Sequence, residues 1–191
     1  MNKDLQLVVK WTIGMYSGGL LIALPLFMGY EYPMPISYEW LKTIHIFGVI
    51  LFMGNIITGP LWIAHAMRSK NNAVVCNAIK ALCWADVFFT IPGVVLTLIS
   101  GLILASSFGD YYTVSWIITA LILLGISSIP AIPTLRYQYR LYQLSYEALQ
   151  QDKPLPEEFT HIMGKWSLLG TIAIILPLIS FVLMIIKPAL W

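Results

Sequence analysis

The chain has 191 residues, 59% of them hydrophobic and 10% charged, with a net charge of +2. Eleven basic and nine acidic side chains cannot solvate the surface of a soluble domain, where about a quarter of residues are charged. This composition, with a mean hydropathy of +0.80, argues against a soluble enzyme, a nucleic-acid binder or a disordered chain and for a polytopic α-helical membrane protein.

Five apolar segments reach spanning length, at about 8–28, 40–64, 86–106, 114–134 and 166–186. Each crosses ~30 Å of hydrocarbon at about 1.5 Å per residue. Their apolar runs are continuous, which disfavours the alternating strands of a barrel. No cleavage site follows the first segment, so it is expected to span rather than to be removed. Turn chemistry separates the segments at Tyr32-Pro33-Met34-Pro35, Ser107-Phe108-Gly109-Asp110 and Lys153-Pro154-Leu155-Pro156. The expected fold is all-α: a single transmembrane domain over residues 1–191, built as a bundle of five membrane helices.

Basic residues set the expected orientation. With the N-terminus inside, nine lysines and arginines lie on the inner side and only Lys42 and Lys187 near the outer one. The bias predicts N-in, C-out. Residues 69–85 read as a short helix running into the third span, and residues 135–151 as an inward extension of the fourth. The Tyr and Arg side chains of that extension fit an interfacial belt. Cys76 and Cys83 lack a C-x-x-C spacing and are expected to be free thiols.

Polar residues at membrane depth need a reason to be there. At ~100° per residue, Leu41, His45, Gly48, Phe52, Asn55, Gly59 and Trp62 share one stripe of the second span. Asp86, Thr90, Gly93, Thr97, Ser100 and Gly101 share one face of the third. Consecutive antiparallel spans bring these faces against each other or against something held between them. Close helix packing explains the glycines, Thr97 and Ser100. It explains His45 less well, because a glycine one turn away also clears room for a flat ligand beside the imidazole, as an axial haem ligand requires.

His65 lies 20 residues from His45, about 30 Å along one helix, so the two cannot share a metal. His65 and His161 read as boundary residues. Lys42 either snorkels to the outer interface or pairs with a carboxylate such as a haem propionate. Asp86 reads as an N-cap opening the third span, or as a proton or cation step. Pro25, Pro92, Pro130, Pro133 and Pro177 are expected to kink or end spans.

The run from Trp40 through Lys42 to His45, with Gly54, Pro60 and His65, resembles the first helix of the HemJ-type protoporphyrinogen oxidases. So does Thr90-Ile91-Pro92-Gly93-Val94-Val95-Leu96-Thr97, with Gly101-Leu102 after it, and Ile185-Ile186-Lys187-Pro188 looks like the end of that family's last helix. The Leu41-Lys42-x-x-His45 start, Gly54-Asn55 and Asp86-x-Phe88-x-Thr90-x-Pro92-Gly93 are closer to an uncharacterised family of predicted bacterial integral membrane proteins. The CopD copper-resistance proteins look like more distant relatives. The resemblance covers about 38–190 and leaves the first span outside.

It implies a multi-pass protein of the bacterial inner membrane that binds haem b, with His45 as axial ligand to the iron. The two polar stripes would then line the site with Lys42, Gly48, Asn55, Thr97, Ser100 and Gly101, with Asp86 as a further polar group. Porphyrinogen oxidation is not implied. Trp116 is not followed by that family's third-helix lysine, and the region near Gly170 and Thr171 is apolar where the family has Asn-Glu.

The expected role is electron transfer, haem handling or sensing. The alternatives are a non-catalytic scaffold or assembly subunit of a membrane complex, and a metal or proton transporter using Asp86, Asn55 and His45. Expected partners are the lipid bilayer and a membrane-complex subunit or a second copy, and no nucleic acid.

Overall fold

A computed structural model of the chain describes residues 36–108 and 113–191, with isolated positions between 6 and 28. The first expected span, with Pro25, falls largely outside the described residues. The rest is helical: α1 (Tyr38–Arg68), α2 (Asn72–Ala85), a π-helical turn (Asp86–Thr90), α3 (Ile91–Ser106), α4 (Ser115–Gln150) and α5 (Glu157–Ile186). Among the described residues, four stretches are long and apolar enough to cross a bilayer: Tyr38–Arg68, Asn72–Ser106, Ser115–Gln150 and Glu157–Ile186.

Local chemistry accounts for the ends. Asn71 caps α2, its side-chain oxygen accepting from the N–H groups of Ala73 (2.9 Å) and Val74 (3.4 Å). Lys187 ends α5 in the left-handed conformation, φ 51°, and its ammonium lies 5.5 Å from the ring centroids of Phe108 and Trp116. The expected helix at 69–85 does run on into the third span, and the fourth does extend to residue 150.

Pro130, Pro133 and Pro177 lie inside helices rather than ending them: α4 continues through the first two and α5 through the third, as α1 does through Pro60. Serine and threonine hydroxyls turn back onto helix carbonyls, as Thr134 does on Pro130 at 2.7 Å, which satisfies polar groups inside the apolar helices. One expectation changes. Asp86 opens no helix. It follows the fourteen residues of α2 directly. Pro92 has no N–H to offer the Phe88 carbonyl, and the backbone widens just before it, the Ile91 N–H reaching Asp86 O.

Packing is uneven. α1 lies along α3 and α4 along α5, and α2 lies against α4. There the ends of α1 and α4 and the start of α5 enclose the main core of Ile63, Val75, Ile79, Leu141, Phe159 and Trp166. Tyr142 belongs to it at 3% exposure, so it is a core residue rather than a belt anchor. Cys76 and Cys83 are buried there as free thiols. At the rim, Arg140 clasps Glu158 through two hydrogen bonds, 2.9 and 3.0 Å.

Candidate functional site

The two polar stripes meet along the seam of α1 and α3. Their contact is close at the glycines. A Cβ on Gly93 would stand 2.6 Å from the Phe52 backbone nitrogen, and one on Gly48 would stand 2.8 Å from Thr97 Oγ1. The stripe on α1 is not wholly buried: Leu41, Gly48, Phe52 and Gly59 face inward, whereas Trp62 is 62% exposed.

His45 forms one polar node on the seam. Its Nδ1 lies 3.0 Å from Thr97 O and 3.3 Å from Ser100 Oγ. A carbonyl only accepts, and the Ser100 hydroxyl donates to Leu96 O. Both partners therefore require the proton on Nδ1, and the neutral ring keeps its lone pair on Nε2. No hydrogen bond to Nε2 occurs among the described residues. This is how metal-ligating histidines are commonly oriented, by a carbonyl on the far ring nitrogen.

The neighbouring glycines give no room for a flat group within the seam. Gly101 sits under the imidazole itself, where a Cβ would be 2.9 Å from Cε1, and Gly48 is covered by Thr97. The ring thus offers one nitrogen, Nε2, to a ligand, and neither glycine makes room for a flat group beside it. Lys42 is exposed one turn away. His65 and His161 are exposed as well, the latter 3.8 Å from Glu157.

Thr97 Oγ1 is buried without a hydrogen-bond partner. Its hydroxyl is desolvated for no return, while the group that holds His45 is the backbone carbonyl. Thr97→Val is therefore expected to stabilise the protein by up to about 1 kcal/mol. A raised unfolding midpoint in detergent checks this.

A second node lies about 15 Å further along α1, ten residues on. Asn55 Nδ2 donates to Asp86 Oδ1 (2.9 Å) and to Thr90 Oγ1 (2.7 Å). Thr90 Oγ1 donates to the same Oδ1 at 2.9 Å. Gln138 Nε2, from α4, donates to Asp86 Oδ2 at 2.7 Å, and Gln138 Oε1 accepts from Trp166 Nε1 of α5 at 3.2 Å. The π-helical turn carries Asp86 and Thr90 to this junction. Asn55 thus belongs with Asp86 and not with His45.

Sequence reasoning passed over Gln138 and Trp166. Gln138 is 4% exposed, though it sits between two arginines in a segment with the composition of an interface. The available signal is the inward stripe Gln138, Leu141, Ser145, Ala148, all buried. Gln138→Leu is expected to cost about 1–3 kcal/mol, because it strands the buried Trp166 N–H. Thermal unfolding in detergent reads the loss.

The Asp86 node floors a cavity of about 400 Å³ between the helix pairs. Val94, Val95 and Leu98 wall it from α3, Leu121 and Leu124 from α4, and Ala173 and Ile174 from α5. His45 is not among its lining residues. Among the described residues, no three His, Cys, Asp or Glu side chains are grouped to hold a metal ion.

Long apolar helices with their few polar groups turned onto one another define a multi-pass helical integral membrane protein, embedded in the lipid bilayer. Residues 39–188 match the family described as predicted integral membrane protein (DUF2269). The chain belongs to that family. No curated protein and no solved structure matches it.

Proposed function

We propose that this protein binds haem b in a bacterial inner membrane, with His45 Nε2 as axial ligand, and serves electron transfer, haem handling or sensing. The observation that carries the proposal is the Nδ1–H of His45 held by the Thr97 carbonyl at 3.0 Å, which leaves Nε2 as the free donor. The likeness of Trp40–His45 and Thr90–Thr97 to the HemJ-type proteins supports it. Thr97 and Ser100 orient the ring, and Gly101 lets it lie against α3. When bound, the iron would supply one-electron chemistry. Proposed with this are the fifth span at about 8–28 and the N-in, C-out orientation, on the basic-residue bias.

The test is the absorption spectrum of protein purified after expression with ample haem. A Soret band at near-stoichiometric intensity is expected, and its absence overturns the proposal. A second reading, a non-catalytic scaffold or assembly subunit, is favoured by the close fit of Gly48 and Gly93 across the seam, which packing alone explains. It predicts no chromophore and co-purification with a membrane complex.

A further inference from the structure

The cavity above Asp86 has an unusual balance of hydrogen-bonding capacity. Both protons of Asn55 Nδ2 are engaged by Asp86 and Thr90. The Thr90 proton goes to Asp86. Gln138 Nε2 reaches Asp86 and, at 3.7 Å, Cys83 Sγ. The Trp166 proton goes to Gln138. The donors of the cluster are thus used within it, and what is left over among the described residues is acceptor capacity: Asp86 Oδ2, which takes one hydrogen bond there, and Asn55 Oδ1, which takes none.

The side chains that hydrogen-bond Asp86 among the described residues are neutral: Asn55, Thr90 and Gln138. A carboxylate at membrane depth ordinarily has a cationic partner or faces a pathway. Here it faces an apolar-walled cavity of about 400 Å³, within the size range of small-molecule sites. The cavity lies between the α1–α3 and α4–α5 pairs, which the α2–α4 contact joins. Small residues, Gly125, Ala131, Gly170 and Ala173, keep its walls apart.

We propose that this cavity binds an amphiphilic amine, with its ammonium head on Asp86 and Asn55 Oδ1 and its apolar tail between α3 and α5. The head supplies the charge and the donor hydrogens that the cluster lacks. The tail replaces lipid or water against Val94, Leu98 and Ile174. A neutral amphiphile would fill the walls and leave the carboxylate unpaired. An inorganic cation would pair the carboxylate and leave the walls uncovered.

The test uses the full chain in phosphatidylcholine nanodiscs, with n-octylammonium and n-octanol as probes, binding to empty nanodiscs being subtracted. The expected result is octylammonium binding at least tenfold tighter than octanol. Asp86→Asn should reduce the preference to threefold or less and leave octanol unchanged. Ala173→Phe, which fills the cavity away from the polar cluster, should weaken both probes at least tenfold. Equal affinity of the two probes for the wild-type protein overturns the proposal. So does ammonium binding that survives Asp86→Asn or, should that variant not fold, survives Ala173→Phe.

Discussion

Gly93→Val is expected to be among the most destabilising single substitutions in this protein, costing about 3 kcal/mol, the upper end of ordinary overpacking. The first added carbon would stand 2.6 Å from Phe52 N, 2.8 Å from Gly48 O and 2.9 Å from Phe52 Cβ. These are backbone and Cβ atoms of the facing helix, and none can rotate away. Relief requires α1 and α3 to separate. Within a bilayer that loss is not offset by a hydrophobic drive, because helix association there rests on close van der Waals fit and interhelical hydrogen bonds. Separation also draws Thr97 O from His45 and Asp86 from Asn55, so both polar nodes loosen together.

Gly59→Ala is the control. Its added methyl meets only the Leu82 side chain, Cδ1 at 2.6 Å, the far end of a flexible group. Alanine also gains about 1 kcal/mol of helix propensity over glycine. Near-neutral stability is therefore expected at Gly59 and a clear drop in unfolding midpoint at Gly93. Equal effects at the two positions would contradict the close seam.

On the proposed haem binding, His45→Ala is expected to remove at least nine-tenths of the Soret absorbance while the protein still folds. The imidazole is the group on the seam whose lone pair is free, since Thr97 O and Ser100 Oγ fix the proton on Nδ1. Truncation leaves a small void over Gly101 and leaves the Thr97 carbonyl to its helical bond, a packing loss of about 1–2 kcal/mol. Ser100→Ala tests the orientation separately. It removes one of two acceptors at Nδ1, so the band should persist with weakened haem retention. A band unchanged in His45→Ala would exclude this histidine as the ligand.

The seam itself was legible in the sequence. His45, Gly48 and Asn55 fall on one helical stripe, Asp86, Gly93, Thr97 and Gly101 on another, and a short turn makes the helices antiparallel neighbours. The partition of that seam into two nodes was not. A helical wheel gives an angle about the helix's own axis, and says nothing of what a third helix brings to the same depth. Gln138 reaches Asp86 from α4, more than fifty residues on, and is itself held by Trp166 of α5. Tyr142 was misplaced for the same reason: its composition suits an interface, but α2 covers it.

Apolar length and the scarcity of charge by themselves determined that this chain is a helical membrane protein. The spacing of small and polar residues determined which faces of α1 and α3 meet. Only the structure decided that Asp86 sits on a π-helical turn made before Pro92 and that it looks into a cavity away from His45. The physical reason is that periodicity is a local property of the backbone. The depth and azimuth at which separate helices deliver their side chains depend on how all of them pack.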